Sequence, residues 1–169
     1  GGLDWFMNNL ADDAAGAAYE NQPATSSVFG RYYSYEEAMT ACPEGWRLPT
    51  DAEWTSLGTQ ASELFADASF NGEPMLEYWP QVGEITNSSR ISLIPAGFAN
   101  LGEGSDGVYP QADFQGLYEY AAVWTSDLVA DEEGMAYYRY LVEGKPEFFL
   151  GKGDVKSFGA SVRCVRDVL

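Results

Sequence analysis

The sequence contains no histidine and only two cysteines, Cys42 and Cys164. Without histidine the chain cannot build a Ser-His-Asp triad, a Cys-His pair, a carboxylate-histidine iron centre or the usual zinc sites. An enzyme of this sequence would depend on carboxylates, tyrosine, lysine or the two thiols. We therefore predict a protein that is not an enzyme.

Basic residues are also scarce, because nine Lys and Arg stand against 26 Asp and Glu, a formal net charge of -17. The negative electrostatic potential of such a chain repels nucleic acid phosphates and anionic lipid head groups, so we expect no nucleic acid partner. Solubility is the simplest role of an acidic surface. Cations, basic proteins and neutral ligands such as sugars are compatible with it.

Long apolar runs are missing as well. No run approaches the roughly 20 residues of a transmembrane helix, and the chain does not open on a signal-peptide pattern. We expect no membrane insertion by this segment. Secretion would then require a signal peptide or a lipid anchor upstream of Gly1.

Aromatic residues are abundant: 11 Tyr, nine Phe and five Trp occur among 169 residues, together with 18 Gly. This composition favours short strands and long ordered loops over a helical bundle. The length suits one hydrophobic core. We predict an α+β fold in a single domain, residues 1–169.

Two capping boxes mark helix starts, SYEE from Ser34 and TDAE from Thr50. We predict a first helix over residues 35–42, ended by the proline and glycine that follow. A second helix is predicted to start after Thr50 and to run to about residue 66. Its apolar stripe consists of Trp54, Leu57, Ala61 and Leu64.

The remaining patterns predict strands. ISLIP (91–95) and AVWTS (122–126) are expected in the core, and 135–142 with 147–150 form a hairpin. Residues 161–164 alternate as in a strand with one buried face. Arg47 and Arg163 are predicted to be half-buried ion-pair partners of nearby carboxylates.

The two cysteines fall on the first helix and the final strand. A disulfide between Cys42 and Cys164 would close a long loop, worth roughly 5 kcal/mol in the chain-entropy model. We favour this bond, which implies an oxidising compartment. Two buried free thiols in a cytosolic protein are the alternative.

The chain resembles a known family in four segments: DWFMNNL, GRYYSYEEAMTACPEGWRLPTDAEW, LIPAGF and KSFGASVRCVRD. They are similar to the Fibrobacter succinogenes major paralogous domain (FISUMP) family. The resemblance implies a C-type-lectin-like fold, with two helices packed on small antiparallel sheets and long loops. It also implies a secreted or cell-surface location in bacteria, without an established activity. In the C-type lectin pattern a disulfide joins the first helix to the last strand.

Two segments, RLPTDAEW and FQGLYEYAAVWTSD, also look like blocks of the formylglycine-generating-enzyme-like domains, which share this fold. Those enzymes use a close pair of copper-binding cysteines, and the related iron-dependent sulfoxide synthases need histidines. This chain has neither feature. The second resemblance therefore supports the fold and not the chemistry.

The long loop over residues 100–120 combines tyrosines with carboxylates. Aromatic rings can stack on sugar faces while carboxylates accept hydrogen bonds from hydroxyl groups. The predicted ligand-binding residues are Tyr109, Tyr118, Tyr120, Glu103, Asp106, Asp113 and Glu119. An acidic solvated loop with inward-packed aromatics is the alternative. We predict no cofactor; calcium on Asp106, Asp113 and Glu119 is the exception considered, although their spacing matches no standard calcium loop.

These observations predict a non-catalytic, secreted or cell-surface binding or adhesion domain. It would engage a glycan or a surface protein through its long loops, where function commonly lies. One alternative is an oxidoreductase related to the formylglycine-generating group, which would carry a reactive thiol. The other is a structural component of a pilus or surface assembly.

Overall fold

The computed structural model describes residues 2–66, 69–70, 73–74, 84–104 and 107–168, with 69–70 and 73–74 described by their backbone alone. The chain is α+β, with short helices in its N-terminal part and small antiparallel sheets that involve both of its ends. Within these ranges, every helix is too short or too polar to cross a bilayer.

The helices are short, and two of them begin where the capping boxes predict. Both predicted starts are confirmed, because the Ser34 and Thr50 hydroxyls each accept from the amide three residues on, at 3.2 Å. In turn, the carboxylates of Glu37 and Glu53 accept hydrogen bonds from the backbone amides of the two cap residues. The α-helices are α1 Ser26–Phe29, α2 Tyr35–Ala41, α3 Asp51–Leu57 and α4 Ala61–Leu64, and single 3-10 turns cover Tyr19–Asn21 and Pro23–Thr25.

The second helix is shorter than predicted, because α3 ends at Leu57 and the chain turns before α4. Gly58 follows in an extended conformation, and the Glu63 carboxylate accepts from the amides of Thr59 and Gln60 at 3.1 Å each. These bonds cap the start of α4, so the chain begins a second helix here and does not add another turn to α3. The apolar stripe survives the break, since Trp54 and Leu64 lie in one core cluster.

The strands form four small antiparallel sheets among the described residues. Their orders are β1-β10, β2-β3, β5-β4-β9 and β6-β7-β8. The predicted hairpin is confirmed as β7 and β8, and AVWTS lies in β6. The strands are β1 Leu3–Trp5, β2 Ser69–Phe70, β3 Glu73–Pro74, β4 Phe98–Asn100, β5 Asp113–Gln115, β6 Tyr120–Leu128, β7 Met135–Val142, β8 Phe149–Asp154, β9 Phe158–Gly159 and β10 Val165–Asp167.

The ISLIP segment is buried but is not a strand, so that prediction is wrong. Ser92 has a positive φ of 54°, which interrupts an extended chain. Leu93 alone forms a bridge, to Phe65, and its amide donates to the Leu64 carbonyl at 2.8 Å. The apolar character of the segment reflects burial against α4 and not sheet pairing.

The core connects the helices to the long hairpin through two buried tryptophans. Trp54 of α3 donates from Nε1 to the Trp124 carbonyl at 3.0 Å, and Trp124 of β6 donates to the Tyr33 carbonyl at 2.7 Å. Both side chains are fully buried. Each indole thus fills apolar space while its polar atom is satisfied.

The predicted disulfide is present between Cys42 and Cys164. The bridge spans 122 positions, and the two Cα atoms lie 5.8 Å apart. Cys42 is the C-cap residue of α2, and Cys164 directly precedes β10. The bond therefore fastens the first long helix to the last strand.

The two arginine predictions have different outcomes. Arg47 forms its ion pair, since both terminal nitrogens donate to Glu53, at 2.8 and 2.6 Å, but its side chain is 44% exposed and not half-buried as predicted. Among the described residues Arg163 forms no ion pair: it is 1% exposed and donates to neutral oxygens, those of Asn9 and of three backbone carbonyls. The alternation predicted for residues 161–164 is also wrong, since all four are buried and only Ser161 forms a bridge.

Candidate functional site

An open aromatic groove of about 430 Å³ lies on one face of the β6-β7-β8 sheet. Five of its eight lining residues are aromatic and none is acidic, which is unusual in a chain of net charge -17. We call it the aromatic groove. Its lining residues are Phe98, Tyr120, Ala122, Tyr138, Tyr140, Val142, Lys145 and Phe149.

Strand alternation places these side chains on a single face. In β7, Tyr138 and Tyr140 share a face, while Arg139 and Leu141 point to the other side. Leu141 packs in the core with Trp54, and Arg139 pairs with Asp51 of α3 at 2.5 Å. The strand therefore buries one face under α3 and turns Tyr138 and Tyr140 toward the groove.

Glycines of β8 make room for the rings. Gly151 lies opposite Tyr138, and a β-carbon added there would stand 2.4 Å from Cζ of that ring. A β-carbon on Gly153 would stand 2.6 Å from the Phe158 ring. The Tyr138 and Phe158 rings can lie against β8 because these two positions carry no side chain.

The rings form a connected cluster with Tyr140 in contact with three others. Its ring centroid lies 6.1 Å from that of Tyr120, 5.7 Å from that of Tyr138 and 5.3 Å from that of Phe149. Tyr120, Tyr140 and Phe149 belong to β6, β7 and β8, so this row crosses the three strands. Such mutual contacts fix the rings in place before any ligand arrives.

The groove is partly withdrawn from water without being closed. All five aromatic rings are half-buried. Burial raises the pKa of the Tyr138 hydroxyl above its usual range, and the neighbouring Tyr140 and Tyr120 raise it further. The Tyr138 phenol therefore stays neutral at physiological pH and can both donate and accept hydrogen bonds.

Of the residues predicted from the sequence, Tyr120 lines the aromatic groove and Tyr109 lies elsewhere. Tyr109 is 6% exposed, with its hydroxyl bonded to the Glu37 carboxylate, so its ring is not available for stacking on a sugar. Desolvation raises the pKa of Tyr109, and the Glu37 contact adds to the shift. Asn21 holds the same loop, donating to the Tyr109 carbonyl at 3.0 Å.

The other predicted residues lie on exposed turns and strand ends. Tyr118 is 40% exposed, at a positive φ of 67° in the turn before β6. Glu103, Asp113 and Glu119 are exposed, and Asp106 lies outside the described residues. Within the described ranges, no three acidic or thiol side chains gather as a metal site would require. Calcium on Asp106, Asp113 and Glu119 thus stays a prediction.

A protein-family comparison matches residues 1–166 to the model for the Fibrobacter succinogenes major domain. The chain belongs to this family. Neither the curated proteins nor the solved structures contain a match. The family assignment agrees with the four segments quoted above, and it leaves the activity of this Fibrobacter succinogenes major domain to be argued from its own geometry.

The sequence alone does not reveal most of the groove. Phe98, Tyr138, Tyr140 and Phe149 were not among the predicted site residues. The available signal was MAYYRYLV, where tyrosines alternate with Arg139 and Leu141, together with the glycine alternation of β8. These two patterns locate the groove only when the register between β7 and β8 is known, because that register places Tyr140 opposite Phe149 and Tyr138 opposite Gly151.

Proposed function

We propose that this family member is a non-catalytic binding domain that holds a glycan in the aromatic groove. The supporting observation is a fixed row of half-exposed rings with no carboxylate in the groove lining. Apolar ring surfaces suit the C–H faces of sugars, and phenols suit their hydroxyl groups. Glycoside hydrolysis requires a carboxyl pair that the groove lining does not supply.

We further propose a secreted or cell-surface location and a C-type-lectin-like fold. The disulfide supports the first, since such bonds persist in oxidising compartments. The same bond supports the second, because it runs from the end of α2 to the start of β10 as in the C-type lectin pattern. Both cysteines of the chain are in this bond, so an oxidoreductase with a reactive thiol has less support.

The structural-assembly alternative has one observation in its favour. Strand β8 pairs with β7 on one side and has no described neighbour on the other. An open edge of this kind can accept a strand from another chain. Such a partner would protect the outward amides of β8 from hydrogen exchange, whereas a glycan would leave those amides unchanged.

The test is a glycan array run with and without calcium, on the purified domain, three strand variants and the loop variant Tyr118→Ala. We expect Tyr140→Ala and Tyr120→Ala to weaken glycan binding by at least about tenfold, since truncating an anchoring aromatic removes about 2 kcal/mol or more. Tyr137→Ala is the matched control, because it removes a tyrosine from the opposite face of β7.

Equal losses in all three strand variants would point to misfolding and not to the groove, so circular dichroism is recorded for each. If no glycan binds the wild-type domain, the glycan proposal is wrong and a protein partner takes its place. If Tyr118→Ala alone abolishes binding, the ligand lies on the loop before β6 and not in the groove.

A further inference from the structure

A second groove, of about 420 Å³, lies between the N-terminal segment, α1 and the ISLIP segment. We call it the arginine groove. It is lined by Met7, Asn8, Asn9, Ala11, Ser26, Ser27, Val28, Gly30, Ala66, Ser92, Ile94 and Arg163. None of these residues is acidic, although 26 of the 169 residues in the chain are.

Arg163 is a buried cation in this lining without an ion-pair partner among the described residues. Its guanidinium donates to Asn9 Oδ1 at 2.7 Å and to the carbonyls of Phe6, Ile91 and Ser92 at 3.2, 2.6 and 3.0 Å. All four acceptors are neutral. A guanidinium has five N–H groups, so one, on Nη2, has no acceptor in the described part of the chain.

A second buried cation borders the same groove. Arg31 is 5% exposed and donates to the carbonyls of Ala15, Gly16 and Gly107. Its Nη1 lies 3.5 Å from Oγ of Ser26, a groove residue. Arg31 likewise forms no ion pair within the described ranges. A buried guanidinium without an ion-pair partner is unfavourable, and an anion bound at Arg163 would relieve that cost in the groove.

Apolar side chains stand beside these cations. Met7 is 57% exposed and Val28 is 64% exposed. Ala11, Ala66 and Ile94 are further apolar residues of the lining. A ligand that filled the groove would cover Met7 and Val28 while bringing a negative group toward the guanidinium.

We propose that the arginine groove binds a carboxylate carried on a short apolar group. The carboxylate would accept from the guanidinium of Arg163, and the apolar group would lie against Met7 and Val28. A carboxylate oxygen is a charged acceptor for the one N–H on Nη2 that has no acceptor in the described part of the chain, and charge-assisted hydrogen bonds of this kind are the stronger ones. A free short-chain acid and the C-terminus of a peptide share this chemistry, so the experiment includes both.

The experiment titrates the domain with hexanoate, hexanamide, acetyl-Gly-Leu and acetyl-Gly-Leu amide, following amide shifts by NMR. Each amide is the neutral counterpart of one acid. We expect each acid to bind at least about tenfold more tightly than its amide, with shifts centred on Asn9, Val28 and Ser92. The tighter of the two acids identifies the source, free acid or chain end.

The informative variant is Ser27→Asp, which puts a competing carboxylate in the groove. Ser56→Asp is a closely matched control: both serines are exposed, and each hydroxyl donates to the carbonyl three residues back, at 3.0 and 2.7 Å. We expect Ser27→Asp to weaken acid binding by about tenfold and Ser56→Asp to leave it unchanged. These exposed positions avoid Arg163 itself, whose replacement would endanger the fold.

Three results would overturn the proposal: equal affinity for acids and their amides, no binding of either acid, or equal effects of the two aspartate variants. Loss of glycan binding to the aromatic groove would not bear on it, since the two grooves share no lining residue.

Discussion

At the residue scale, Glu37 joins three separate parts of the molecule. One carboxylate oxygen accepts from the Ser34 amide at 2.9 Å, and the other accepts from the Gly16 amide and from the Tyr109 hydroxyl. Only the first of these bonds can be predicted from the sequence, because it is local. The others involve residues 21 and 72 positions away. Glu37 thus caps α2 and also anchors Tyr109, in the loop that the sequence predicts to bind a ligand.

Buried tyrosines should make the domain sensitive to alkali. Burial raises the pKa values of Tyr32, Tyr33 and Tyr109 well above 10.0 in the folded chain. Above pH 10 the unfolded chain loses phenol protons that the folded chain keeps, so stability is full below that pH and is lost above it. We predict a urea midpoint that falls from pH 9 to pH 11, measured by fluorescence.

Arg163 acts in the opposite sense, since desolvation lowers its pKa to about 9, but it is one group against three. Tyr109→Phe serves as the control and should flatten the fall with pH. A midpoint that stays constant or rises over this range would contradict the assignment of these tyrosines as protonated and buried.

At the element scale, β8 supports the aromatic groove by lacking side chains at two positions. Gly153 is buried, and a β-carbon there would meet Phe158 at 2.6 Å and Trp124 at 3.0 Å. A β-carbon on Gly151 would meet mainly the outer end of the Tyr138 ring. The two glycines therefore differ in what a methyl group would displace.

We predict that Gly153→Ala lowers the free energy of unfolding by about 1–3 kcal/mol, the usual effect of overpacking a filled core. Gly151→Ala is the matched control: it should cost less stability, since the Tyr138 ring can tilt, but should still weaken glycan binding. Urea denaturation and the glycan array measure the two effects. If Gly153→Ala were as stable as the wild type, the prediction would be wrong, because the neighbouring side chains would have moved to accept the methyl group at no cost.

Elements defined by local chemistry were predictable and those defined by distant contacts were not. Both helix starts follow from a hydroxyl and a glutamate three residues apart. α3 ends early because Glu63 caps α4, so the chain starts a new helix and does not continue the old one. The spacing of apolar residues along the sequence gives no sign of this cap. ISLIP is apolar because it is buried, and sequence pattern alone does not separate a buried irregular segment from a buried strand.

At the scale of the whole molecule, the Cys42–Cys164 bond is the main covalent constraint. We predict that Cys42→Ala/Cys164→Ala lowers the free energy of unfolding by about 2–5 kcal/mol, because the unfolded chain regains the freedom of a long loop. Urea denaturation with and without a reducing agent measures this loss. Reduction should destabilise the wild type and leave the double variant unaffected; an unchanged wild type would contradict the prediction.

The two large-scale features differ in how far the sequence reveals them. The disulfide follows from two cysteines placed at the first helix and the last strand. The aromatic groove does not, because its rings come from β4, β6, β7 and β8 and meet only once the strand registers are fixed.

The pairing of β1 with β10 has a mechanical consequence. The two ends of the described chain lie side by side, with the Val168 amide donating to the Gly2 carbonyl at 3.0 Å. Tension applied to both ends would unzip this pair one bond at a time, at low force. Extension would then stop at the Cys42–Cys164 disulfide. Because this bond carries the force, the residues between Cys42 and Cys164 are not stretched. Tension therefore acts on the residues before Cys42 and after Cys164, while the lining residues of the aromatic groove, which lie between positions 98 and 149, carry none of it.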